Sequence, residues 1–316
     1  MQITEPTIAV IVPCHNEEAA VQTVVEDLRK ALPTATIYVY DNNSTDRTSE
    51  MAAAAGAVVR TETRKGKGNV VRRAFGDIEA DVYLMIDGDD TYDAAAAPEL
   101  IRTLLDNHLD HVVGARVQET STAYRAGHAT GNKALTGVVG ALFGPTFTDM
   151  LSGYRVFSRR YVKSFPALSR EFEVETELTI HSLHLRIPVA EVPIGFKDRP
   201  EGSESKLRTY RDGWKILRWI LRVTRHERPV LFHGVIAALF ALVSIILGIP
   251  VISDYVNTGL VPRFPTAILA AAVMTIAGLT FAVGYILDAI RHGREENARL
   301  SYLRLPAPGW VKDTAA

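Results

Sequence analysis

The chain has 316 residues, 47% of them hydrophobic, with 35 Lys and Arg against 36 Asp and Glu and a formal net charge of -1. That length allows one large domain or two small ones, and the balanced charge argues against a polyanion binder. The single cysteine, Cys14, excludes an internal disulfide and a cysteine-based metal set.

No signal peptide is expected, because residues 1–30 include Glu17, Glu18, Glu26 and Asp27 and lack an uninterrupted apolar core. TIAVIVP, residues 7–13, is a β-branched run closed by proline and predicts the first strand. Across residues 17–32, Val21, Val24, Val25, Leu28 and Leu32 recur at helical spacing. ATIYVYD, residues 35–41, predicts a second strand, and Ser44 or Thr45 is placed to cap a helix running to Ala55. A short third strand is expected at 57–59 and a helix at 69–79. DVYLMID, residues 81–87, predicts the fourth strand, followed by a helix near 97–105 and a fifth strand, HVVGA, at 111–115. Strands alternating with helices predict an α/β fold with a mostly parallel sheet covered on both faces. Ligands bind such sheets beyond the carboxyl ends of the strands.

The polar residues gather at that edge. Pro13, His15, Asn16 and Glu17 follow the first strand, and Asp41, Asn42 and Asn43 the second. Arg64, Lys65, Gly66, Lys67 and Gly68 follow the third. Asp87, Gly88, Asp89 and Asp90 follow the fourth, and Gly114 and Arg116 the fifth. No GxGxxG follows the first strand and no GxxxxGK[ST] occurs, so neither a dinucleotide fingerprint nor an ATPase P-loop is supported.

The DGDD string has two readings. Asp and Gly form ordinary solvated turns. At the end of a buried strand, their hard carboxylate oxygens also suit Mg²⁺ or Mn²⁺, which bind substrate phosphates as well. Asp87 and Asp89 are the better ligands, flanking a glycine that permits close approach; Asp90 is a ligand, an acceptor behind the ligands, or a turn residue. Asp41 can accept an N–H from a nucleobase, or close an Asx turn or cap a helix. Arg64, Lys65 and Lys67 can hold ribose or diphosphate, or form a solvated basic turn.

The C-terminal part differs in character. Residues 232–252 and 264–287 hold no Asp, Glu, Lys or Arg. About 20 apolar helical residues cross the ~30 Å hydrocarbon slab, so two membrane spans are expected. The link 253–263 carries Asp254, Asn257 and Gly259 and predicts a hairpin. Arg218, Arg222, Arg225 and Arg228 precede the first span and Arg291, Arg294, Arg299 and Arg304 follow the second, whereas the link holds only Arg263. The positive-inside tendency then puts both termini and the soluble body in the cytoplasm of a two-pass protein of the cell membrane. In residues 208–228, Arg211, Lys215, Arg218, Arg222 and Arg225 share one helical face, with Trp214, Leu217, Ile220, Leu221 and Val223 largely off it. That pattern predicts an interfacial helix against anionic membrane lipid, with a surface helix packed on the body as the alternative. No aromatic platform points to nucleic acid.

IVPCHNEE, VYDNNSTDRT, RKGKGNVVRRA, LMIDGDDTYD and TDMLSGYRVFSR, in that order, resemble family-2 glycosyltransferases. The resembling subgroup is the polyprenyl-phosphate glycosyltransferases, which include dolichol-phosphate mannose synthases and GtrB-like glucosyltransferases. The resemblance covers roughly residues 7–287 and implies a GT-A fold and a UDP- or GDP-sugar donor. It matches Asp41 to base recognition, and Asp87 and Asp89 to the pair that carries the metal and diphosphate. Pro13, Asn16, Glu17, Asn43, Lys65, Lys67, Gly68 and Gly88 complete the expected donor side. Asp149 matches the acidic residue beside the reacting centre. The implied acceptor, undecaprenyl or dolichyl phosphate, needs cations, and Arg116, Arg125, Lys133, Arg155 and Lys206 are the candidates, each also able to form a surface salt bridge. Lys133 lies on an apparent helix at 127–143, and Lys206 in GSESKLR, which matches a mobile substrate loop. Glu173, Glu175 and Glu177 alternate in a way that fits no single helical face, and nothing in the pattern singles one out. The resemblance permits a homotetramer.

The expected organisation is a catalytic domain at 1–205, a juxtamembrane amphipathic helix at 206–230, a hairpin at 231–290 and a cytoplasmic tail at 291–316. Three rival readings remain: a transferase acting on another membrane lipid, a processive polysaccharide synthase, and a non-catalytic membrane scaffold. Synthases of the second kind carry a QxxRW segment; here Lys215 stands where the Gln would precede Arg218 and Trp219.

Overall fold

The computed structural model describes residues 5–118, 147–167, 174–197, 225 and 228–309. The chain divides into two compact units, Met1–Leu207 with Asn297–Ala316, and Arg208–Glu296.

The first unit opens with β1 (Ile8–Cys14), α1 (Val21–Ala31), β2 (Thr36–Asp41), α2 (Thr48–Ala54), β3 (Val58–Thr61), α3 (Lys67–Asp77) and β4 (Val82–Met85). A short 3₁₀ turn, Ala94–Ala96, leads into α4 (Ala97–Asp106), then β5 (His111–Gln118). β6 (Arg155–Ser158), α5 (Arg159–Ser164), α6 (Val174–Leu185) and β7 (Val189–Phe196) follow. The seven strands form one sheet in the order β3-β2-β1-β4-β6-β5-β7. All neighbours pair in parallel except β6, which is antiparallel to β4 and β5. The expected mostly parallel α/β sheet is therefore present, with β6 and β7 added beyond the strands legible in the sequence.

Both faces of the sheet are covered, which is why its central strands are apolar throughout. Val10 and Val12 of β1 and Leu84 of β4 face one core with Val21, Val25 and Leu28 of α1 and Leu100 and Leu104 of α4. Ala9, Ile11, Tyr83 and Met85 face the other, with Val70, Val71 and Phe75 of α3, Tyr161 of α5 and Leu178 of α6. Each large apolar side chain so buried contributes roughly 1.5–3 kcal/mol. From β1 the chain runs outward to β2 and β3, then returns to β4 on the other side of β1. That reversal opens a crevice at the carboxyl ends of β1 and β4, where ligands bind such sheets.

Several boundaries differ from the sequence expectations. Neither Ser44 nor Thr45 caps α2: Asp46 accepts from the Thr48 N–H at 3.1 Å, while the Ser44 hydroxyl accepts from the Asn16 N–H at 2.9 Å. Gly114 and Arg116 lie within β5 rather than after it, because pairing with β7 continues to Gln118.

In the second unit, α7 (Pro229–Thr258) and α8 (Phe264–Leu303) are helices of 30 and 40 residues, long and apolar enough to cross a membrane. The Ser244 hydroxyl of α7 donates to the Ala270 carbonyl of α8 at 2.7 Å, satisfying a polar group on an apolar helix. Most of their large side chains, such as Leu239, Ile246, Ile252, Leu279 and Phe281, are exposed. The last turns of α8 belong to the first unit. There Tyr302 is buried and donates to Asp110 Oδ2 at 2.8 Å, and Arg299 donates to the Leu185 carbonyl at 2.9 Å. Within the segment expected to form a cytoplasmic tail, Arg299 and Tyr302 are thus tied into the first unit. The interfacial helix expected over 206–230 falls almost wholly outside the described residues.

Candidate active site

The candidate site is a row of polar loops along the carboxyl edge of the sheet. At one end, Asp41 closes β2 and is buried, accepting from the Ser44 N–H at 2.9 Å and the Ser49 hydroxyl at 2.5 Å. This is an Asx-type turn, and a carboxylate's four lone-pair positions leave it room to accept one bond more. Asn42, absent from the sequence candidates for direct contact, ties the next strand's turn in place. It donates to the Glu62 and Arg64 carbonyls, both at 2.8 Å, and accepts from the Gly66 N–H at 2.6 Å. Asn43 donates to the Thr63 carbonyl at 2.8 Å. Arg64 and Lys65 remain exposed on this turn, and Gly68 is buried at the start of α3. Asn16, Asn43 and Asp90 hold left-handed backbone, at φ 58, 59 and 55°, along the same edge. Short polar side chains tolerate that conformation, and such outliers gather at functional sites. Pro13 is half-buried, and Glu17 donates its N–H to the Thr48 hydroxyl at 2.9 Å.

The carboxylate cluster follows β4. Asp87 keeps 29% of its side chain exposed. Asp89 is buried and accepts from the Thr91 hydroxyl at 2.6 Å. Gly88 sits where a Cβ would collide with Cys14 Sγ and lie 3.3 Å from Val12, so glycine lets the acidic loop lie against the end of β1. A Cβ on Gly153 would collide with the Asp87 carboxylate itself, which brings the 149–153 loop directly against the cluster. Tyr92 fixes that approach, its hydroxyl accepting from the Gly153 N–H at 2.8 Å. Lys67 does not extend to solvent with the basic turn. Its ammonium lies 2.5 Å from Asp87 Oδ1 and 2.5 Å from Glu175 Oε1 on α6. Burial works against its charge, yet the two carboxylates outweigh burial and hold the ammonium well above the usual lysine range. The Cys14 thiol is pushed far up, first by burial and then by the negative field of Glu17, Asp41, Asp87 and Asp89. Burial also raises the Asp90 carboxyl.

This donor set fits a hard divalent cation. It offers two carboxylates two residues apart, one of them accessible, in a negative field. No group of three His, Cys, Asp or Glu able to hold a metal occurs among the described residues. Phosphate oxygens and water would therefore complete the shell, as is usual for Mg²⁺.

At the other end, Asp149 receives Arg116 as a fork, Nε at 2.6 Å to Oδ2 and Nη2 at 2.7 Å to Oδ1. Burial favours the protonated acid, but the Arg116 bonds and charge prevail and hold the Asp149 carboxyl below its ordinary range. Glu191 of β7 clamps the same loop, accepting from the Thr148 N–H at 2.8 Å and the Asp149 N–H at 3.1 Å. Arg155, expected among the phosphate ligands, is placed elsewhere. It is fully buried and donates to the Met150 carbonyl at 2.5 Å, the Ser152 carbonyl at 2.8 Å and the Thr179 hydroxyl at 2.9 Å. Its guanidinium shapes the loop from beneath instead of facing a ligand, because the first residue of β6 points into the core. Arg125, Lys133 and Lys206 lie outside the described residues. Tyr92 and Glu191 are site builders that the sequence reading does not name. Asn42 is placed at the edge there only by its position after β2, and Glu175 only within its acidic segment, not chosen over Glu173 or Glu177.

Residues 9–165 match the model of glycosyl transferase family 2. A Haloferax volcanii glycosyltransferase, AglJ, is 30% identical over 91% of this chain and 93% of its own length. A dolichyl-phosphate hexose transferase of the same organism is 28% identical over 72% of this chain and 98% of its own. Among solved structures, glucosyl-3-phosphoglycerate synthase from Mycobacterium tuberculosis, in complex with Mn²⁺, UDP and glucosyl-3-phosphoglycerate, superposes with a TM-score of 0.56 at 24% identity. That match covers 70% of this chain and 79% of the other, and it gives the sheet described above its GT-A character. The chain belongs to glycosyl transferase family 2, and it is a glycosyltransferase of GT-A-like fold.

Proposed function

We propose that the protein transfers a sugar from a UDP- or GDP-sugar, with inversion, to the phosphate of a polyprenyl phosphate at the cytoplasmic face of the membrane. One observation carries this reading: a donor-type carboxylate edge shares its chain with two helices long and apolar enough to cross a membrane. Similarity to a dolichyl-phosphate hexose transferase supports the same acceptor. A polyprenyl chain leaves a bilayer at ~0.8 kcal/mol per CH₂, so its phosphate must be met at the surface.

Asp41 receives the base, and the 62–68 turn with Lys65 runs beside the ribose and diphosphate. Asp87 and Asp89 would hold Mg²⁺ or Mn²⁺, which neutralises charge on a diphosphate leaving group. The Mn²⁺ and UDP bound by the glucosyl-3-phosphoglycerate synthase are a precedent for this fold. The acceptor's phosphate oxygen attacks the anomeric carbon, and the bond to the diphosphate breaks with its electron pair leaving on UDP or GDP. An α-linked donor gives a β-linked product. A phosphate monoester, with a second pKa of ≈ 6, is ionised without a base. Asp149, held as carboxylate by Arg116, is a poor proton acceptor and serves to aim the Arg116 fork and the loop beside Asp87.

The test incubates membranes containing the protein with a panel of labelled UDP- and GDP-sugars, divalent cation and polyprenyl phosphate. A lipid-extractable, mild-acid-labile product with one donor is expected. No such product with any donor would overturn the reading.

A further inference from the structure

Glu175 stands on the first turn of α6 with 4% of its surface exposed, and its Oε2 is buried without a hydrogen-bond partner among the described residues. A bare buried carboxylate oxygen is costly and calls for a reason. Its other oxygen shares the Lys67 ammonium with Asp87, at 2.5 Å to each. Both mounts are stiff. The Thr179 hydroxyl donates to the Glu175 carbonyl at 3.1 Å and is itself held by Arg155. Lys67 begins α3, directly after the turn that Asn42 pins through Gly66. One ammonium between two carboxylates gives that trio a net charge of one negative, with the buried Arg155 guanidinium as a further cation near Glu175. Without Glu175, Lys67 and Asp87 would form a neutral pair, with the ammonium committed to the oxygen a cation needs.

We propose that Glu175 is a positioning residue that, by sharing Lys67, leaves the Asp87 carboxylate aimed and free in charge for a divalent cation and diphosphate. This rests on the reading of Asp87 as a cation-binding carboxylate. Glu175 acts through Lys67, and its bare Oε2 is the acceptor that takes up the ammonium when a cation claims Asp87.

The experiment measures Mn²⁺ binding, by electron paramagnetic resonance of the free ion, to the full-length protein in detergent with UDP or GDP present. Wild type is compared with Glu175→Gln and with the double variant Lys67→Met/Glu175→Gln, which restores the surplus negative charge. Loss of an outer partner of a metal ligand costs about 10–100-fold in affinity. Glu175→Gln is expected to weaken Mn²⁺ binding at least about tenfold, and the double variant to recover most of that loss. Equal binding by wild type and Glu175→Gln, or a double variant as weak as the single, overturns the proposal. Should Glu175→Gln fail to fold by circular dichroism, Glu175→Asp, which keeps the charge, must bind Mn²⁺ nearly as wild type does; a loss as large as that expected for the Gln variant overturns the proposal. Wild type that binds no Mn²⁺ with either nucleotide instead overturns the reading of Asp87 on which the proposal stands.

Discussion

Replacing Arg155 with methionine separates two roles for one side chain. As a phosphate ligand, Arg155 would lose acceptor affinity and little else. As the buried support described above, it would leave the Met150 and Ser152 carbonyls and the Thr179 hydroxyl without their donor. Each buried carbonyl left bare costs about 1–3 kcal/mol, roughly 2–6 kcal/mol for the two. Part of this is offset, because methionine also removes a buried guanidinium whose pKa burial already lowers. A net loss of about 2–3 kcal/mol lowers Tm by roughly 4–12 °C in a unit of this size. The Asp149 loop would loosen with it, and a misplacement of ~1 Å at a reacting centre can cost about 10²-fold in rate. Thermal unfolding in detergent and kinetics with varied acceptor measure both quantities. Support predicts a lower Tm and a lower kcat with acceptor KM changed little. An unchanged Tm with a strongly raised acceptor KM would refute the reasoning and return Arg155 to the ligand set.

Gly153→Ala places a methyl group on the Asp87 carboxylate, and overpacking of this kind costs about 1–3 kcal/mol. Donor turnover should fall at least about tenfold while folding persists, and a wild-type rate would show that the two loops do not constrain each other. Asp149→Asn should destabilise the protein by on the order of 3 kcal/mol, by removing the buried carboxylate charge that the Arg116 fork grips. Because the folded pKa of Asp149 is depressed, its contribution is present above the unfolded value of about 3.9 and is lost as pH falls through the folded one. Denaturant melts should therefore show the variant and wild type separated near neutrality and converging in acid; a constant gap down to the lowest pH would contradict this. A reporter tag inserted within 253–263 should be extracytoplasmic, and a cytoplasmic signal would reverse the orientation.

The carboxyl edge was legible because a parallel α/β alternation sends every βα loop to the same side. Asp41, the basic turn and the DGDD string could be grouped from strand endings alone. What joins them could not. Lys67 reaches Glu175 across a large sequence separation, and the alternation of Glu173, Glu175 and Glu177 hides which one faces inward. Arg155 looked like a cation for phosphate because it begins a strand too short to display which side of the pleat it occupies. β6 escaped notice for the same reason, being only the four residues Arg155–Ser158. The second long helix overruns its apolar segment because no proline separates Leu287 from Leu303 and Gly293 alone does not end it; Pro306 comes later. That continuation brings Tyr302 to Asp110.

The most direct measurement is ³¹P nuclear magnetic resonance of the lipid product made by purified protein from a labelled nucleotide-sugar and polyprenyl phosphate. The account predicts a phosphodiester with the sugar's anomeric carbon on the phosphate oxygen, β-linked from an α-linked donor. A product whose phosphate remains a monoester, with the sugar bonded elsewhere, would contradict it.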